Sequence, residues 1–198
     1  SNRCPEPSMS LFLSKARQRL SERRRLRELG EDTDGLSAVE FAFVAGPFFL
    51  LLVGIFEVCL IFLISTILQY GAREAARDIR TGSLQASTAV VADQKTAFET
   101  EICDRMLNLF NCSSALTINV RTSPTGFPST QDVIPKNGDG SLDTSGFGFD
   151  AGGRDDIVIV NVYFEWELIT PLMSRSMANL PQNKRLMISS QAFRNEPF

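Results

Sequence analysis

The chain has 198 residues, a formal net charge of −3, four cysteines and no histidine. Lack of histidine removes the usual serine and cysteine triads and the common zinc ligand sets, and the mildly acidic stretch beyond residue 35 offers no basic patch for nucleic acid. What remains after a long apolar run suits one external domain of about 110–130 residues, enough for a single core.

Residues 11–29 carry Lys15, Arg17, Arg19, Arg23, Arg24, Arg25 and Arg27 against only Glu22 and Glu28. That bias holds this end in the cytoplasm, and residues 10–29 suit a basic amphipathic helix on the inner leaflet. Met9 is a candidate initiator. An ordinary signal anchor with a basic flank explains the same charges.

From residue 41 to residue 68 the only strongly polar side chain is Glu57. As a helix, these residues extend for about 42 Å, more than the roughly 30 Å hydrocarbon core of a bilayer. The run is too long for a secretory signal core and shows no persuasive small-x-small cleavage site at its far end, so a retained membrane anchor is expected. Gly46-Pro47 breaks a backbone hydrogen bond within it and is a candidate kink or melting point. Two carboxylates stand out: Glu40 just inside the run and Glu57 near its middle. A free carboxylate is costly there, so each calls for a partner, for Glu57 either another protein or a second copy of this chain.

The helix is expected to leave the membrane over residues 69–80, with Ala72, Ala75, Ala76 and Ile79 on one face and Gly82 as the stop. Phe98, Ile102, Met106 and Phe110 recur every fourth residue, which predicts a second helix over 86–110. Leu116, Ile118 and Val120 then alternate with polar residues. Ile157, Ile159, Asn161, Tyr163 and Glu165 alternate with Val158, Val160, Val162, Phe164 and Trp166, so this run presents one distinctly apolar face, and Leu186, Ile188 and Ser190 offer a weaker third strand. Pro171 and Pro181 bound an irregular or short helical excursion between the last two. The fold class is α+β: a long N-terminal helix followed by a small domain with a second helix and an antiparallel sheet. The expected divisions are 1–35 as leader, 36–80 as transmembrane and protruding helix, and 81–198 as external domain.

Cys4 belongs to the leader and Cys59 to the apolar run, whereas Cys103 and Cys112 fall on the external side. In an oxidising periplasm the latter two would pair, and two free thiols are the alternative. Residues 122–156 form a glycine-, proline- and aspartate-rich surface loop. Within it Asn137-Gly-Asp139-Gly-Ser-Leu-Asp143 echoes a calcium loop, but Pro135 and Gly146 occupy would-be ligand positions, so no metal and no cofactor are expected. Phe127, Phe147 and Phe149 suit either adhesive contact or anchoring of the loop to the core. Asp155 and Asp156 read as a turn before a strand, and no catalytic residues are assigned.

Gly35-Leu-Ser-Ala-Val-Glu40-Phe resembles the prepilin peptidase site of the type IV pilin superfamily. Together with Pro47, Gly54-Ile-Phe-Glu57 and Tyr70-Gly-Ala-Arg73-Glu-Ala-Ala-Arg77, it looks like the TadE-like family, minor pilin-like proteins of tight adherence pilus systems. Gly152-Gly153, Asp156-Ile-Val-Ile-Val-Asn-Val-Tyr163 and Leu168-Ile-Thr-Pro171-Leu are similar to that family's distal strand and proline turn. The resemblance implies cleavage after Gly35 on the cytoplasmic side, leaving Leu36 as the N-terminus and Glu40 to pair with a neighbouring subunit's α-amine, which is mostly cationic near neutral pH. It further implies a prepilin peptidase, a major pilin, a TadF-like companion and the inner-membrane assembly platform as partners, beside the lipid bilayer, with roles in surface attachment and biofilm formation. An uncleaved inner-membrane scaffold or envelope sensor is the alternative, and an envelope hydrolase using an acid pair a distant third.

Overall fold

The computed structural model describes residues 33–87, 89–107, 111–127, 134–170 and 175–198. The leader, Cys4, Phe110 and Pro171 lie outside the described residues. Helix α1, Thr33–Arg80, runs without interruption and accommodates Pro47. It is followed by the short α2, Ser83–Ser87, then α3, Val91–Arg105, and a single turn, α4, Cys112–Ala115. Three strands follow: β1, Leu116–Thr122; β2, Ile157–Glu167; and β3, Lys184–Arg194. They form one antiparallel sheet in the order β1-β2-β3, with Leu116 opposite Phe164 and Phe164 opposite Met187. One long helix, further helix and a three-stranded antiparallel sheet make the α+β architecture expected.

The chain divides into two compact units after Leu52, and the core belongs to the second, Val53–Phe198. Along α1 the residues Gly54, Glu57, Ile61, Ile64, Leu68, Ala72, Ala75, Ala76 and Ile79 are buried. Their spacing of three and four places them on one helical stripe. The predicted alanine face is therefore a seam, and small side chains let α3 approach: a Cβ on Gly71 would stand 3.2 Å from the Ile102 carbonyl oxygen and 3.4 Å from Arg105 Cβ. From α3 the seam receives Phe98, Ile102 and Met106, the fourfold apolar series read from sequence. The range 86–110 expected as one helix is divided, because residues 89–90 are extended or bent and α3 begins only at Val91. Strand β2 contributes Val158, Val160, Val162 and Phe164, all fully buried on the same side.

The opposite face of β2 is also covered. Ile157, Ile159, Asn161 and Tyr163 are buried, although the sequence pattern marked only the face of Val158 and Val160 as distinctly apolar. Leu142, Leu180 and Leu186 form a second apolar cluster with Tyr163, flanked by Ile134, Phe147 and Ile188. Phe147 stacks on Tyr163 at 5.1 Å between ring centres, while Phe149 meets Phe98 at 5.8 Å. The glycine-rich connection thus lies on the domain by its aromatics, and Phe127 stays exposed. It also lines the outer edge of β1, where Val120 donates to the Gly148 carbonyl and Asp150 donates to the Val120 carbonyl, both at 2.9 Å. Occupying the edge blunts unwanted strand pairing.

Helix α1 closes at Gly82, whose φ of +78° is the left-handed conformation that glycine adopts cheaply. The Gly82 amide donates to the Ile79 carbonyl at 3.1 Å, and a Cβ at Gly82 would collide with the Phe198 ring at 2.3 Å. The segment after β3 fastens this end: Glu196 donates its amide to the Arg80 carbonyl at 2.8 Å, and Asn195 Nδ2 donates to the carbonyls of Ala151 and Gly153 at 2.9 Å.

Candidate processing and assembly segment

The residues singled out for cleavage and assembly lie on α1. Gly35 and Leu36 fall in its first turn, and Glu40 follows one turn later with an exposed side chain. Beyond Glu40 the helix presents Phe41, Phe43, Val44, Phe48, Phe49, Leu51 and Phe56 outward, among other large apolar side chains. No soluble protein leaves such a run uncovered without a partner or a bilayer to receive it. Among the described residues one helical stretch, Ser37–Arg80, is long and apolar enough to cross a membrane.

Glu57 is different in kind. It is 1% exposed, and within this chain it meets the turn after β2. The Ile169 amide donates to Glu57 Oε1 at 2.6 Å and the Thr170 amide donates to the same oxygen at 3.2 Å. Two backbone donors thus converge on one carboxyl oxygen. Oε2 and Thr170 Oγ1 are buried with no hydrogen-bond partner among the described residues. The apolar run read as one span is therefore two things: exposed along its first part, and from Gly54 onward also the inner wall of the domain. Nothing in the sequence around residue 169 advertises this pairing, because the donors are backbone amides.

Cys103 and Cys112 are joined by a disulfide, with Cα atoms 5.6 Å apart, and both are buried where α3 ends and α4 begins. The Met106 sulfur lies 3.9 Å from Cys112 Sγ. Cys59 is a free, exposed thiol on the apolar part of α1. Near the end of α3, Glu101 Oε1 accepts from Arg105 at 2.7 Å and holds the guanidinium pKa above its usual value.

The calcium-like stretch spends its carboxylates locally. Asp139 accepts from the Ser141 amide and hydroxyl at 2.9 and 2.6 Å, and Asp143 accepts from the Ser145 amide at 2.9 Å. These serine donors hold both carboxyls below the ordinary aspartate value of 3.8. Ionised, they support the turns at neutral pH, and that support is lost as pH falls below 3.8 through the depressed values. Asp156 Oδ2 likewise accepts the Gly153 amide at 2.7 Å, and Asp155 adopts a left-handed turn at φ +63°. Among the described residues no three acids or cysteines cluster as metal ligands.

With this geometry in place, residues 35–77 match the family model described as TadE-like protein. The N-terminal helix segment is TadE-like. The match opens at Gly35 and closes at Arg77, so it takes in Glu40, Pro47, Glu57 and the alanine-arginine segment. The similarities noted over residues 152–172 lie beyond it. A TadE-like segment relates the chain to tight adherence pilus systems, and an apolar helix near the N-terminus fits a membrane anchor in such a protein. No curated protein and no solved structure matches the chain.

Proposed function

We propose that the chain is a minor pilin- or pseudopilin-like protein of a tight adherence pilus system, cleaved by a prepilin peptidase after Gly35 and acting in pilus assembly, surface attachment and biofilm formation. The observation that carries this reading is the TadE-like match beginning at Gly35 on a helix whose residues 41–53 are apolar and, apart from the half-buried Ala45, exposed. Such a helix anchors the chain in the inner membrane before assembly, its arginine-rich leader cytoplasmic and its folded domain periplasmic. The same exposed surface then packs against other helices as the protein is drawn into or against a filament.

Glycine at the cut admits a protease close to the backbone, since it carries no Cβ. Cleavage leaves an α-ammonium on Leu36, and Glu40 of one copy pairs with that charge on its neighbour inside an apolar bundle. The pair sets register and polarity more than it adds stability. Partners on this reading are the major pilin, a TadF-like companion, the inner-membrane platform and, before assembly, lipid. The chain is a substrate and not an enzyme, in keeping with a family that is non-enzymatic in general.

Glu40→Ala is expected to leave processing intact while abolishing piliation and surface attachment in a strain lacking the wild-type copy. Filament counts after shearing, with immunoblots of the membrane fraction, check this. Normal piliation in Glu40→Ala cells would instead favour a permanent membrane scaffold, for which the charge has no assembly role.

A further inference from the structure

The turn after β2 lies against α1 at Glu57, and the two amide bonds to Oε1 fix it there. On α1, exposed apolar side chains flank Glu57 on both sides: Ile55 and Phe56 before it, Phe62 and Leu63 after it. The level of Glu57 along the helix therefore falls inside the exposed apolar band, not beyond its end. At that level Leu168 is buried in the core, whereas Ile169 is 61% exposed. Ile169 thus turns an apolar surface outward beside the exposed apolar side chains of α1, with its own backbone amide satisfied by Glu57.

We propose that the 168–170 turn is a second membrane contact of the domain, with Ile169 inserted among the acyl chains at the outer face of the bilayer and Glu57 acting as the backbone clasp that holds it there. This rests on the reading of α1 as a membrane anchor. Helix length agrees: the twenty residues from Phe41 to Leu60 rise about 30 Å, the thickness of the hydrocarbon core, and so place Glu57 within about 5 Å of the membrane boundary.

The test is depth-dependent quenching of tryptophan fluorescence in phosphatidylcholine vesicles carrying bromine on their acyl chains, using the full chain. The chain has one tryptophan, the buried Trp166, so probes are placed in a Trp166→Phe background. Phe48→Trp reports insertion of α1, Phe56→Trp the boundary, and Phe127→Trp the far end of the sheet, because it follows the β1 end paired to the start of β2. Ile169→Trp is expected to be quenched to within about twofold of Phe56→Trp, as an interfacial apolar side chain should be, with Phe127→Trp unquenched. If Phe48→Trp is quenched while Ile169→Trp behaves like Phe127→Trp, the turn does not touch lipid and the inference fails alone. If Phe48→Trp is unquenched, the anchor reading fails and takes the inference with it. Should Trp166→Phe misfold by circular dichroism, the same comparison is read as added quenching over the native Trp166 signal.

Discussion

At Glu57 a single oxygen accepts two backbone amides, and this small arrangement changes how the apolar run is understood. A carboxylate at residue 57 invited an intermolecular partner, yet its bonds are made within the chain, 112 residues away in sequence. Glu57→Ala leaves the Ile169 and Thr170 amides without their acceptor and is expected to destabilise the domain by about 1–3 kcal/mol. Glu57→Gln, which keeps a carbonyl acceptor, is expected to lose less. Hydrogen exchange at the two amides checks the order: protection should fall most in Glu57→Ala and stay near wild type in Glu57→Gln. Gly82 is a second residue whose type is dictated by geometry, because a side chain there meets both a left-handed backbone and the Phe198 ring. Gly82→Ala is expected to cost about 1–2 kcal/mol from backbone conformation alone, read as a lowered denaturant midpoint of the detergent-solubilised chain.

Helix α3 is held at its end by the disulfide, which closes a short segment between Cys103 and Cys112. Replacing both cysteines by serine is expected to remove about 2–3 kcal/mol, while the wild-type chain under reducing conditions should show the same lowered midpoint. Local patterns in these elements were readable before the fold was known. Ala72, Ala75, Ala76 and Ile79 mark the seam by helical spacing, and Phe98, Ile102 and Met106 mark its partner. What the pattern could not supply was the covering of the second face of β2. Tyr163 and Asn161 alternate with valines as if exposed, and the segment that buries them is rich in glycine and aspartate, which reads as solvated. Its cover depends on Phe147 stacking across from Tyr163, a contact between residues that no periodicity links. The pairing of Glu57 with residues 169 and 170 was hidden for the related reason that backbone donors leave no residue signature.

Across the whole chain, one helix serves two environments. Its first part, residues 41–53, is apolar and almost wholly exposed, and from Gly54 it also forms a wall of the folded unit. The TadE-like match covers both parts, from Gly35 to Arg77, but ends before the sheet. The exposed apolar part fits a membrane anchor. On the proposed reading the leader is removed at Gly35, which frees Leu36 and places Glu40 one turn from a new N-terminus. Intact mass and N-terminal sequence of the membrane-extracted protein test it, taken from cells with and without prepilin peptidase and from a Gly35→Ala variant. A mature chain beginning at Leu36 only when both peptidase and glycine are present is the expected result; an uncut chain in every case would contradict it and leave a permanent membrane scaffold.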